Sequence, residues 1–196
     1  HHNLGIIYRE KKLFDEAITH FKKAVEILPT YRDAIISLAD GYRSINDPQS
    51  AIFYYQKALK IKEDEIILNK LGLIYFELQN YQEAENFYKK SIVVKHDYPE
   101  AHFNLAILLM HLGIYNPGFK KYNWRWQVES FDSKKLVINK PKWALEKNKT
   151  ILIWPEQGIG DQILLSRFFN DLIDYSINLK IIVDPKLINY FKKSFP

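Results

Sequence analysis

Apolar and small positions return along this chain with a step of 33 or 34 residues. Leu4, Leu38, Leu71 and Leu105 form one series, and Tyr8, Tyr42 and Tyr75 a second. Ala17, Ala51 and Ala84 form a third, and Phe21, Tyr55, Tyr88 and Tyr122 a fourth. Four series sharing one period mark an internal repeat. The predicted units are residues 1–29, 30–63, 64–96 and 97–128, with the second helix of the last one atypical. Beyond Lys149 the pattern changes. TILIWP is a short β-branched run, EQGIGD supplies turn residues, QILLSRFFNDLIDYSI has helix length, KIIVDP reads as a second strand and KLINYFKKSF as a final helix. Strand, helix and strand within about 35 residues predict a βαβ unit with parallel strands. Two strands leave a parallel sheet uncovered, so this part is expected to be incomplete.

The repeat resembles the tetratricopeptide repeat, whose pattern places Leu-Gly and Tyr on one helix and Ala, an aromatic, Ala and Pro on the next. The first unit carries Leu4, Gly5, Tyr8, Ala17, Phe21, Ala24 and Pro29 at those places; the fourth has Leu109 for Tyr and Gly118 for Ala. The resemblance implies a superhelix whose concave groove holds a protein or peptide partner. In this chain the groove positions are Asn3, Ile6 and Glu10; Asp33, Ser37, Asp40 and Ser44; Ile66, Lys70, Leu73 and Glu77; Glu100, Asn104, Ile107 and His111. Ile6, Asp40, Leu73 and Ile107 occupy a row where chaperone-binding members carry a carboxylate clamp, which argues against a chaperone adaptor. Asn3 and Asn104, with Asn69 one place off, resemble the asparagine ladder of O-GlcNAc-transferase-type repeats, with Ser37 and Lys70 interrupting the row. An amide side chain can donate to and accept from a peptide backbone; the alternative is polar filler on exposed helices.

Composition narrows the classes. With no cysteine the chain has no disulfide, thiolate metal site or thiol nucleophile, and the expected location is cytoplasmic. No apolar run reaches the roughly 20 residues of a membrane helix, so no span is expected. Met110 is the sole methionine, and the sequence is expected to be incomplete. The net charge of +5 includes a basic stretch from Lys134 to Lys149, read as a solvated linker over residues 129–148. The groove positions are mixed in sign, and no nucleic-acid partner is expected. The six histidines show no metal-ligand spacing.

Two features remain. Tyr122, Trp124, Trp126 and Trp143 read as packing between the last repeat and the second domain; stacking on bases or sugars is the alternative. In WPEQGIGDQILLSRFF, Gly158 and Gly160 make only G-x-G, with Ile163 where a dinucleotide fingerprint has its third glycine, and no Walker Lys-Ser/Thr is present after them. A glycine turn at the carboxyl end of a strand still permits close approach of a ligand. The segment resembles bacterial proteins in which such repeats precede a GT-B glycosyltransferase-like domain related to heptosyltransferases. The resemblance rests on Tyr122, Trp124, Arg125, Trp126, Pro141, Trp143, Trp154, Glu156, Gln157, Gly158, Gly160 and Asp161; Asn123, Pro155 and Ala144 depart from it. It implies a mostly α chain: an α-solenoid, then the first βαβα unit of an incomplete Rossmann-like domain over residues 149–196. It further implies Asp161 as general base toward an acceptor hydroxyl, with Glu156 and Gln157 binding acceptor hydroxyls beside Gly158 and Gly160. A helix-start cap is the alternative role for Asp161. No cofactor is expected on this stretch, a nucleotide-sugar donor is implied for the full-length protein, and the rival reading is a non-catalytic scaffold.

Overall fold

A computed structural model describes residues 1–131, 133, 137–144, 146–156, 158–174 and 176–195, the side chain of Ile177 excepted. The chain forms two compact units, His1–Val128 and Glu129–Pro196.

The first unit is eight helices in four antiparallel pairs: α1 (His2–Glu10) with α2 (Phe14–Ile27), α3 (Arg32–Ser44) with α4 (Pro48–Ile61), α5 (Glu65–Glu77) with α6 (Tyr81–Val94), and α7 (Pro99–His111) with α8 (Tyr115–Tyr122). A short 3-10 turn, Asn123–Gln127, comes after α8. The repeat series are the core. Ala17, Ala51, Ala84, Phe21, Tyr55, Leu38 and Leu71 are fully buried, and Tyr88 and Leu105 nearly so. Each large apolar side chain withdrawn from water contributes about 1.5–3 kcal/mol.

The small residues are needed where the rings sit. A methyl group on Gly5 would lie 2.4 Å from the Phe21 ring, and one on Gly72 would lie 2.4 Å from that of Tyr88. The turns inside the pairs repeat as faithfully as the core. Lys12, Asn46, Gln79 and Gly113 adopt φ of 60°, 60°, 59° and 77°. This left-handed residue lets the next amide reach back into the first helix: Leu13 N–H to Tyr8 O at 3.0 Å, Asp47 to Tyr42 at 2.9 Å, Asn80 to Tyr75 at 2.8 Å and Ile114 to Leu109 at 2.8 Å.

In the second unit β1 (Lys149–Ile153) pairs in parallel with β2 (Ser176–Ile181), Ile151 lying opposite Leu179. Two features differ from the sequence expectation. The single helix is broken into α9 (Ile159–Ser166) and α10 (Phe169–Ile173). Ser166 Oγ donates back to Ile163 O at 2.7 Å and Phe168 N–H to Leu165 O at 3.1 Å, a tightened turn that ends α9. It brings Phe169 into an apolar cluster with Leu187 and Phe191. The second strand starts earlier than expected and takes in Ser176, because pairing with Lys149 extends it beyond the apolar run. A 3-10 turn, Pro185–Leu187, leads into α11 (Ile188–Ser194).

Candidate functional site

The first-helix row of the repeat unit is stitched by polar contacts that step from one pair to the next. His2 Nε2 meets Ser37 Oγ at 3.0 Å, and Tyr31 OH meets His2 Nδ1 at 3.0 Å. Lys70 Nζ donates to Asp40 Oδ1 at 2.6 Å, and the Tyr55 hydroxyl donates to the same carboxylate. Burial, then the Asp40 charge, pushes the Tyr55 phenol far above its ordinary value, so Tyr55 stays a donor. Asn104 Nδ2 donates to Asn69 Oδ1 at 2.9 Å, and Arg43 reaches Glu77 at 3.0 Å. Burial raises the Tyr98 phenol to about 12, against a hydrogen bond from Asn69.

These contacts sort the sequence-predicted groove residues. Ser37 and Asn69 are buried, and with Lys70 and Asn104 they bond to neighbouring repeats. Asn3 is exposed, as are Glu10, Asp33 and Ser44, and Ile66 is 47% exposed. Ile6 and Leu73 pack against the core instead of standing free in the row. Thus the polar positions at the middle of the row brace adjacent repeats, while Asn3 and Ile66 offer open contact surface. Sequence spacing alone does not separate these roles, because bracing and binding positions have the same period.

Arg32 and Asp64 form a second brace. Arg32 Nη2 donates to Asp64 at 2.8 Å, and the same carboxylate caps α5 by accepting from Ile66 and Ile67 N–H at 2.9 and 3.0 Å. Burial acts to raise the Asp64 pKa, but Arg32 and the two amides outweigh it and hold it below the ordinary carboxylate value.

At the end of the repeats the tryptophans have local partners. Trp124 stacks on buried His102, with centroids 4.1 Å apart and planes 6° from parallel. The buried Arg125 guanidinium lies 4.3 Å from the Tyr122 ring centroid and 4.2 Å from that of Trp126. Trp143 Nε1 donates to Glu146 O at 2.8 Å within the second unit.

The glycine turn comes after β1. Ile182 N–H donates to Ile153 O at 2.8 Å and Asp184 N–H to Gln162 Oε1 at 2.9 Å, which brings the ends of both strands to the start of α9. Gly158 is the N-cap of α9 and makes no side-chain cap bond; the helix begins at Ile159. Asp161 is therefore inside the first turn and not at the cap, where the residue pattern alone puts the helix start, and its side chain is exposed. A carboxylate there still lies toward the favourable end of the helix dipole. A methyl group on Gly158 or Gly160 would meet no atom within 4 Å, and neither has a positive φ, so nothing among the described residues requires glycine at these places. Glu156 is half-buried, and its carbonyl accepts from Ser133 Oγ. Gln157 lies outside the described residues. Among the described residues the buried Trp154 indole N–H, directly after β1, has no hydrogen-bond partner, and a cleft of about 290 Å³ is lined by Phe169, Leu179, Ile181, Phe191 and Phe195. No group of three or more His, Cys, Asp or Glu among the described residues is arranged to hold a metal ion, and no helix among them is long and apolar enough to cross a membrane.

Known proteins share the geometry of the first unit. The tetratricopeptide repeat model matches residues 1–64 and a second TPR repeat model matches residues 72–113. The chain is 31% identical over 104 residues to ycf37 of Guillardia theta, covering 49% of this chain and 56% of that protein. It is 26% identical over 157 residues to human protein O-mannosyl-transferase TMTC1, covering 80% of this chain but 16% of that protein. It thus spans about half or less of the length of these relatives. A tetratricopeptide repeat protein from Parabacteroides merdae superposes with a TM-score of 0.59 at 27% identity, over 63% of this chain and 48% of that one. Through the hairpins of its first unit, this chain belongs to the tetratricopeptide-repeat family.

Proposed function

We propose that the repeats form a protein-interaction arm that docks an extended polypeptide, and that the second unit is the opening part of a sugar-transfer domain acting on that partner or on a glycan. The observation that carries the second half is the turn after β1. Asp161 stands exposed in the first turn of α9, between strand ends and beside two glycines that the fold itself does not need. An open, glycine-flanked carboxylate at the carboxyl ends of parallel strands is a suitable place for an acceptor hydroxyl. In that role Asp161 takes the hydroxyl proton as the oxygen attacks the anomeric carbon and the nucleoside diphosphate leaves. Glu156 and Gln157 bind neighbouring hydroxyls, and the nucleotide-sugar sits on a part of the fold outside this sequence. The likeness to a protein O-mannosyl-transferase supports sugar transfer only through a small share of that protein.

The test is transfer from nucleotide-sugar donors by the full-length polypeptide carrying this sequence. The parent should be active, and Asp161→Asn should lower kcat by about 10²–10⁴-fold, the usual contribution of a general base. Equal activity in parent and variant would remove Asp161 from the chemistry. An inactive parent would favour the non-catalytic scaffold, to which the repeat unit is equally suited.

A further inference from the structure

The seam between the second and third hairpins is built differently from the seams on either side of it. Residues 28–31 and 95–98 make four-residue connections, each closed by a backbone bond, Tyr31 N–H to Leu28 O at 2.9 Å and Tyr98 N–H to Lys95 O at 3.2 Å. The connection 62–64 has three residues and no such bond; Lys62 and Asp64 are extended, at φ of −158° and −157°. The missing residue is the one by which the step from Leu38 to Leu71 falls short of the steps before and after it. Helix packing is thinner there too. α4 meets α5 along a shorter stretch than α2 meets α3 or α6 meets α7, and the backbones of α3 and α5 approach each other less than those of α1 and α3 or of α5 and α7.

Charge on long side chains spans this wider seam. Arg32 reaches Asp64 at 2.8 Å, Lys70 reaches Asp40 at 2.6 Å and Arg43 reaches Glu77 at 3.0 Å, at the start, middle and end of the α3–α5 pair. The neighbouring seams are bridged along the same row by short side chains, His2 with Ser37 and Asn69 with Asn104. Behind the ion pairs an apolar pivot persists, in which Tyr55 and Ala58 share one buried cluster with Ile67, Leu71 and Ile74. A short connection without a closing bond, an apolar pivot behind it and ionic ties in front are the parts of a hinge. We infer that the first two hairpins and the last two are separate bodies that turn about residues 62–64, and that the three ion pairs latch the groove side of that hinge shut. Like charges placed across the seam repel and open it, whereas the better-packed seams on either side stay fixed.

The chain has no cysteine, so spin labels can be placed in pairs without removing a native thiol. Labels at Asp15→Cys and Gln49→Cys span the first seam, and labels at Gln49→Cys and Gln82→Cys span the second; all three positions are exposed and equivalent in their repeats. Pulsed dipolar spectroscopy should give one narrow distance distribution for each pair in the otherwise unaltered chain. In Arg43→Glu/Lys70→Glu, whose circular dichroism should match the parent's, the 49–82 distribution should shift and become about twice as wide while the 15–49 distribution is unchanged. Arg43→Glu alone, at the most exposed of the three pairs, should broaden the 49–82 distribution to a smaller degree, and adding Glu77→Arg to it should restore the parent distribution. A 49–82 distribution unaltered by charge reversal, equal broadening of the 15–49 pair, or broadening that persists when the pair is restored with its charges exchanged would overturn the inference.

Discussion

The ring of Tyr88 lies against the bare Cα of Gly72, so close that a methyl group there would sit 2.4 Å from it. Tyr88 is 1% exposed and cannot swing away. Replacing glycine by alanine inside a helix normally gains about 1 kcal/mol, but overpacking a filled core costs about 1–3 kcal/mol. Gly72→Ala and Gly5→Ala are each expected to lower stability by up to about 2 kcal/mol in urea unfolding. The second repeat already carries Ala39 at this place, where Tyr55 hydrogen-bonds to Asp40.

The left-handed turns predict the opposite sign. Gln79 and Lys12 hold φ near +60° without being glycine, which strains an L-residue by about 1–2 kcal/mol. Glycine relieves that strain and gives back about 0.4–1 kcal/mol through the unfolded chain. Gln79→Gly should therefore raise stability by about 0.5–1 kcal/mol, read as a higher urea midpoint at unchanged slope.

Asp64 holds both an interhelical arginine and a helix cap. Asp64→Ala should cost about 1–3 kcal/mol, more than a surface ion pair supplies. Its pKa is lowered in the folded chain, so its stabilisation is present above the ordinary carboxylate value near 4 and is lost as pH falls through the lower folded value. The Asp64→Ala chain should show a flatter acid limb of stability below about pH 4.

His102 supplies a second pH test. Its Nε2 donates to the His96 carbonyl at 2.8 Å, leaving Nδ1 buried without a partner among the described residues. Burial lowers its pKa from the ordinary 6.5, outweighing the carbonyl bond, which acts to raise it, while the nearby Lys121 and His96 charges lower it further. The neutral ring is the folded form, so stability is in place above that ordinary value and is lost as pH falls through the lowered one. Thermal midpoints measured from neutral to mildly acid pH should fall less in His102→Phe than in the parent. The remaining slope includes His2, whose pKa burial also lowers.

Much of the fold is legible in the spacing of a few residue types. Leu, Gly, Ala and aromatic positions repeat because each hairpin buries the same face against the same neighbour, and Gly5 and Gly72 occur where a ring leaves no room. Other features depend on partners distant in sequence. Ser37, Lys70 and Asn104 have groove spacing, but only the fold shows that His2, Asp40 and Asn69 satisfy them. The break between α9 and α10 escapes a count of apolar residues because it depends on a serine turning back on its own helix and on a phenylalanine joining a core made by α11. At the glycine turn, residue types and the strand before them are readable in the sequence, whereas the cap at Gly158 depends on where α9 begins.

Presentation of a polypeptide by the repeats to a transferase is tested most directly by steady-state kinetics of the full-length polypeptide on a protein acceptor. The variant to compare is Asn3→Ala/Ile66→Ala, because both side chains are open to solvent and absent from the packed core. The expected result is a raised KM for the protein acceptor, with kcat and donor hydrolysis unchanged. An unchanged KM, or a loss confined to kcat, would contradict it.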